Sequence, residues 1–146
     1  MGVDVSGAML QVARRRGGYT ELLHGDVDEV LPALRDAGRT FELVLAADTL
    51  IYYGELRHVF QRVAALLSDG GGEQRALFAL SLERLPADDA RPWALQSSGT
   101  YAHSLHHVRE AAARAGLQVE AHDESQSPRL EDGEPVPGLL VVLSRA

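Results

Sequence analysis

The sequence contains no cysteine and no lysine; all 14 of its basic residues are arginine. Without cysteine there is no disulfide, no thiolate nucleophile and no zinc–thiolate centre. Without lysine there is neither a Schiff-base amine nor a Walker-type phosphate lysine. Acidic residues outnumber basic ones by 21 to 14, so the chain is a poor partner for a nucleic-acid backbone. No apolar run reaches membrane-spanning length, and no basic region followed by an apolar core opens the chain, so a cytoplasmic location is the default and no membrane partner is expected. There is no internal repeat and no low-complexity tract. The 146 residues, 45% of them hydrophobic, are expected to build one core and a single domain over 1–146.

Strand and helix patterns alternate along the chain. A short strand at Gly2–Val5 leads into a helix from about Ala8 to Arg16, with Met9, Val12 and Ala13 inward, and Gly17-Gly18 stops it. Tyr19–Leu23 reads as a second strand, followed by a helix with Val30, Leu31 and Leu34 inward that ends at Gly38. The continuous apolar run Phe41–Ala47 predicts a strand buried on both faces. Leu56, Val59, Phe60, Val63 and Leu67 recur at helical spacing, and Arg75–Leu82 is the next buried strand. Leu85–Tyr101 is polar and irregular and reads as a loop or lid. Ser104 is placed to cap a helix running to about Ala115. Leu117–His122 and Gly138–Ser144 are the last strands. The connector between them is too short for a crossover helix, which predicts an antiparallel return. The pattern is an α/β signature.

Asp4 closes the first strand and stands directly before a helix. A strand–acid–helix sequence is how nucleotide-binding α/β folds hold a ribose, the carboxylate accepting from both hydroxyls in bonds worth about 1.5–3 kcal/mol each. In such folds the acid closes the second strand, and a first strand with a glycine-rich loop lies about 20 residues upstream. Only three residues precede Asp4 here, so the first strand and its loop are expected to be missing. Two strand edges would then lack partners, at about 1–3 kcal/mol for each unpaired buried backbone group. Either the flanking strands pair directly, or the chain folds poorly alone; an open edge also invites self-association.

Four strings carry a family resemblance: Gly2-Val3-Asp4-Val5-Ser6-x-x-Met9-Leu10, Ala46-Ala47-Asp48-Thr49-Leu50-Ile51-Tyr52-Tyr53-Gly54-Glu55-Leu56, Ser98-Gly99-Thr100-Tyr101-Ala102-His103-Ser104 and Gly133-Glu134-Pro135-Val136-Pro137-Gly138-Leu139-Leu140-Val141-Val142. On these the chain resembles the class I S-adenosylmethionine-dependent methyltransferases from their second strand to their seventh. The nearest likeness is to bacterial methyltransferases that often carry tetratricopeptide repeats. The resemblance implies a Rossmann-like α/β sheet with an antiparallel last strand, lacking the first strand and the glycine-rich loop. It implies S-adenosyl-L-methionine as cofactor and an unidentified small-molecule or protein acceptor. The segment Ser68–Gln74 looks like a small insertion relative to the family's compact turn. No Asn-Pro-Pro-aromatic string follows the fourth family strand, which argues against methylation of DNA bases.

Carried over residue by residue, the resemblance gives Asp4 the ribose and sets Val5 against the adenine. Asp26 would accept from the adenine amino group, with Val27 offering its backbone. Ala46 and Ala47 belong to the loop where donor faces acceptor, and Asp48, Tyr52 and Tyr53 stand on the substrate side. His103 is the candidate general base, with Tyr101 beside it. Each has a plainer alternative. Asp4 and Asp26 serve equally well as helix N-terminal acids, Asp48 as a turn residue, and the two tyrosines as packing. His103 and Tyr101 could instead pin the loop that enters the helix at Ser104. His103, His106 and His107 lack a nearby carboxylate to complete a metal site, so no metal is expected. Methyl transfer itself asks little of side chains, because a sulfonium is already strongly electrophilic and positioning supplies most of the rate. The absent loop implies compromised turnover. A noncatalytic binding module and, less well, a nicotinamide-dependent oxidoreductase fragment stand beside the methyltransferase reading.

Overall fold

The computed structural model describes residues 1–69, 75–125, 127, 129–131 and 133–146. Gly70–Gln74, the greater part of the expected insertion, therefore lies outside the described residues. Two compact units are present, Met1–Thr40 and Phe41–Ala146.

In the first unit, β1 (Gly2–Asp4) and β2 (Leu22–His24) pair in parallel, with Asp4 opposite His24. The intervening α1 (Gly7–Arg16) starts at Ser6, which is extended and whose hydroxyl accepts the Met9 amide proton at 3.3 Å. Its last turn carries Arg14, Arg15 and Arg16, cations suited to the negative end of the helix dipole, and Gly17 ends it with φ 73°. Asp26 caps α2 (Val27–Asp36) in the same way, its carboxylate accepting the Asp28 amide proton at 2.7 Å. Leu10 and Leu34 are the buried apolar residues of this unit. Met9, expected inward, is instead 55% exposed. With the helix phased from its Ser6 cap, its neighbour Leu10 faces in, about 100° further round.

The second unit is built on β4 (Leu77–Arg84), between β10 (Gly138–Arg145) on one edge and two shorter parallel strands on the other. β3 (Leu43–Ala46) pairs along Leu77–Leu80, and β6 (Tyr101–His103) pairs at Glu83–Arg84. β7 (Leu117–Asp123) adds to β10, and both of β10's partners run antiparallel to it, as the short connector predicted. β5 (Trp93–Leu95) pairs antiparallel with β6, so Leu85–Tyr101 is not a plain loop. The connector before β10 itself folds into a hairpin of β8 (Arg129–Glu131) and β9 (Glu134–Val136).

Phe78, Leu80 and Leu82 share one sheet face with Leu139, Val141 and Leu143, and all six are buried. Phe60 of α3 (Arg57–Ala64) meets Phe78 edge-on, ring centroids 5.6 Å apart, and α4 (Leu105–Arg114) packs beside α3. Neither α3 nor α4 covers the opposite face. Leu43 and Leu45 of β3 are exposed, Leu45 by 69%, above an open hollow of about 410 Å³. The expectation that Phe41–Ala47 is buried on both faces therefore fails, because both covering helices lie on one side. Among the described residues, β3 is paired with β4, and in the first unit β1 with β2.

Candidate functional site

Asp4, Val5, Asp26 and Val27 come together at the carboxyl ends of β1 and β2. Gly25 donates its amide proton to the Asp4 carbonyl (3.2 Å), and a His24 ring nitrogen meets the Val5 carbonyl (2.9 Å). Asp4 uses one carboxylate oxygen, Oδ1, to accept the Ser6 amide proton at 2.7 Å; Oδ2 has no partner among the described residues. Val5 is 67% exposed, an apolar side chain standing free beside that carboxylate. Gly25 answers a packing demand, since a Cβ there would lie 2.8 Å from Val30 Cγ2. Asp26 is both the α2 cap and the next acid along the same edge. Asp26 thus caps α2, while Asp4 bonds the amide of Ser6, the cap of α1, through one oxygen only.

In the second unit, Ala46 ends β3 and the chain turns sharply through Ala47 and Asp48. Asp48 has φ 50°, the left-handed region that costs a non-glycine residue and is concentrated at functional corners. Two bonds hold it there: its amide proton goes to Ser81 Oγ (3.0 Å), and the Thr49 hydroxyl donates to the Ala47 carbonyl (3.0 Å). Leu50–Tyr52 then forms one 3-10 turn, anchored by buried Leu50 and Ile51, which leaves Tyr52 exposed.

Tyr53, Tyr101 and His103 meet at a second cluster. Trp93, Tyr101 and His103 lie on one face of the β5–β6 pair, with Trp93 and Tyr101 edge-to-face at 5.4 Å. Trp93 lies so close over Gly54 that a Cβ there would come within 2.8 Å of the indole. His103 is fully buried and donates Nε2–H to the Tyr53 carbonyl at 2.8 Å. Its ring stacks on His107 at 5.9 Å, and neither His103 Nδ1 nor His107 Nε2 has a hydrogen-bond partner. Burial holds both imidazoles neutral, pulling His103 from 6.5 down to about 4 and lowering His107 as well. The pair pins the Tyr53–Gly54 turn to β6 and α4. Among the described residues no group of acidic or histidine side chains could hold a metal, and no helix is long and apolar enough to cross a membrane.

Residues 1–72 match the family described as methyltransferase domain. The whole chain has the fold of solved S-adenosylmethionine-dependent methyltransferases. One from Mesorhizobium loti superposes with a TM-score of 0.64 at 22% identity, over 99% of this chain and 79% of that one. By fold the chain is similar to S-adenosylmethionine-dependent methyltransferases, and the methyltransferase-domain family matches its residues 1–72. Magnesium protoporphyrin IX methyltransferase from Synechocystis PCC 6803, solved with S-adenosylhomocysteine bound, matches at TM-score 0.69 and 15% identity. There the match covers 99% of this chain and 63% of the larger protein. A methyltransferase from Clostridium acetobutylicum matches at TM-score 0.66 and 14% identity, over 99% and 74% of the two chains. No curated protein sequence matches.

The second unit also contains a polar cluster that sequence reasoning missed. Glu83, near the end of β4, is only 3% exposed, and its Oε1 accepts from the Thr100 hydroxyl (2.8 Å) and from Arg129 Nε and Nη2 (2.9 and 2.6 Å). Glu131 accepts from the same guanidinium at 3.0 Å. The available signal was a lone acid inside the apolar run Ala76–Leu85, just past the expected strand end at Leu82.

Proposed function

We propose that the domain transfers a methyl group from S-adenosylmethionine to a small-molecule or protein acceptor. The observation that carries this reading is the paired acid edge of the first unit. Asp4 presents an unpartnered carboxylate oxygen where a strand meets a helix, with exposed Val5 beside it and Asp26 closing the neighbouring strand. That donor set fits adenosine, with Asp4 on the ribose, Val5 along the adenine, and Asp26 and the Val27 backbone at the purine edge. The cofactor supplies a positively charged sulfonium whose methyl group is the electrophile.

In the second unit, Ala46 and Ala47 place only methyl groups at the corner, so the backbone can approach a ligand closely. Asp48, held by Ser81, and exposed Tyr52 serve the acceptor side. His103 takes the pinning role rather than that of a base. It is sealed from solvent, neutral well below pH 7, and committed through Nε2 to the Tyr53 carbonyl. Tyr101 shares that role through Trp93. Orientation and exclusion of water then supply the rate. Within the family, the string likeness points to the bacterial methyltransferases associated with tetratricopeptide repeats. The open edge of β3 favours pairing with a second copy.

Parallel titrations with S-adenosylhomocysteine and with a reduced nicotinamide dinucleotide test the reading. Micromolar binding of the first, at least tenfold tighter than the second and weakened by Asp26→Ala, is expected. Preference for the dinucleotide would overturn it in favour of an oxidoreductase fragment.

A further inference from the structure

Ser81 and Glu83 lie two residues apart on β4 and project from the same face, the one that α3 and α4 leave bare. Each anchors a different segment. Ser81 Oγ holds the Asp48 amide in its left-handed turn. Glu83 holds Arg129 at the start of the β8–β9 hairpin, 46 residues away in sequence, through two guanidinium nitrogens on one oxygen. Thr100, from the turn before β6, closes on the same oxygen and is itself buried. Because side chains two residues apart on a strand stand about 7 Å from each other on one face, Ser81 and Glu83 bring the Asp48 turn and the hairpin's cation to the same side of β4.

Such a pair is a poor device for stability. Glu83 is buried while Arg129 stays partly exposed, so the cost of desolvating the carboxylate offsets much of the attraction, and apolar replacements of such pairs are often neutral or stabilising. What it provides is placement. The two bonds fix the guanidinium plane, and with it the first residue of the hairpin; its last strand is already tied to the main sheet through Pro137, whose carbonyl accepts the Arg84 amide proton at 2.8 Å.

We propose that Glu83 and Arg129 are positioning residues for methyl transfer, which hold the β8–β9 hairpin beside Asp48 as a wall of the acceptor side. This rests on the reading that the Ala46–Asp48 corner faces the acceptor. Asp48 is the residue through which the pair acts, and the hairpin is the element that selects what reaches it.

The test is backbone amide exchange and resonance position in the full chain, for wild type, Arg129→Met, Glu83→Gln and the double variant Glu83→Leu/Arg129→Met. Arg129→Met is expected to speed exchange of the Glu131, Glu134 and Val136 amides at least tenfold and to displace the Asp48 amide resonance, while α3 and α4 keep their protection. Glu83→Gln, which leaves an oxygen for Thr100, gives a smaller change of the same pattern. The double variant recovers thermal stability without restoring hairpin protection or the Asp48 resonance. Recovery of all three together, or faster exchange throughout the unit in the single variants, would mean that the pair is only structural and overturn the proposal. S-adenosylhomocysteine affinity, measured alongside, stays within twofold of wild type in Arg129→Met. Failure of wild type itself to bind would refute the methyltransferase reading of the corner, separately from the outcome for the hairpin.

Discussion

The two units differ in the reach of the side chains that hold their turns. In Met1–Thr40, Asp4, Ser6 and Asp26 each bond an amide two or three residues away, and Leu10 and Leu34 alone are buried apolar side chains. In Phe41–Ala146, polar groups reach across the sequence: Ser81 to Asp48, Glu83 to Arg129, His103 to Tyr53. They do so within a core that includes Leu56, Phe60, Leu67, Phe78, Leu82 and Leu143, all essentially inaccessible. The lesson is that local capping leaves carboxylate oxygens free for a ligand but adds little cohesion. Long-range bonding gives the second unit its rigid corners and takes those side chains out of circulation.

The largest break in this contrast comes from the core. Phe60→Ala is expected to destabilise the second unit by about 3–5 kcal/mol, through the lost burial and the cavity against Phe78. Denaturant titration measures it, and a loss below about 1 kcal/mol would mean that the unit does not depend on this core. Acid comes next. His103 titrates at about 4 in the folded chain against an ordinary 6.5, so the unfolded state binds the extra proton first. The stability it contributes is complete above about pH 6.5 and lost as pH falls towards 4, about 3 kcal/mol over the window. His107, lowered by burial against the opposing pull of the Glu55 and Glu110 charges, adds to the loss in the same direction. A pH series of thermal melts should show this slope in wild type and a flatter one in His103→Phe. Equal slopes would mean that the buried ring is not the acid-sensitive group.

Smaller effects sharpen the other side. Ser6→Ala and Asp26→Ala each remove an N-cap and should cost the first unit about 1 kcal/mol, read as faster amide exchange in α1 or α2. Only Asp26→Ala should also weaken S-adenosylhomocysteine binding. Arg114→Ala breaks an exposed i,i+4 pair with Glu110 and should change stability by less than about 0.5 kcal/mol in the same melts.

What was legible in the sequence follows the same division. Caps and turns are local, so Asp4 before a helix, Ser104 at the head of α4 and the antiparallel β10 could all be read from spacing. Apolar runs disclosed β4 but misled for β3, because a pattern reports that Leu43 and Leu45 could be buried, not that a helix arrives to cover them. For His103 the base and pinning readings both stood open, because its sequence neighbours say nothing of its partner, the Tyr53 carbonyl 50 positions away. The Glu83–Arg129 pair and the β8–β9 hairpin were missed for the same reason. Contacts across dozens of residues leave no local period, and a single acid in an apolar strand was the one visible trace.

The most direct test of the account is calorimetric titration of the full chain with S-adenosylhomocysteine, comparing wild type, Asp4→Ala and Asp48→Ala. Micromolar binding that Asp4→Ala weakens at least tenfold and Asp48→Ala leaves within about twofold is the predicted result. Binding that survives Asp4→Ala unchanged, or a folded wild type that gives no heat, would contradict the assignment of the adenosine site to the first unit.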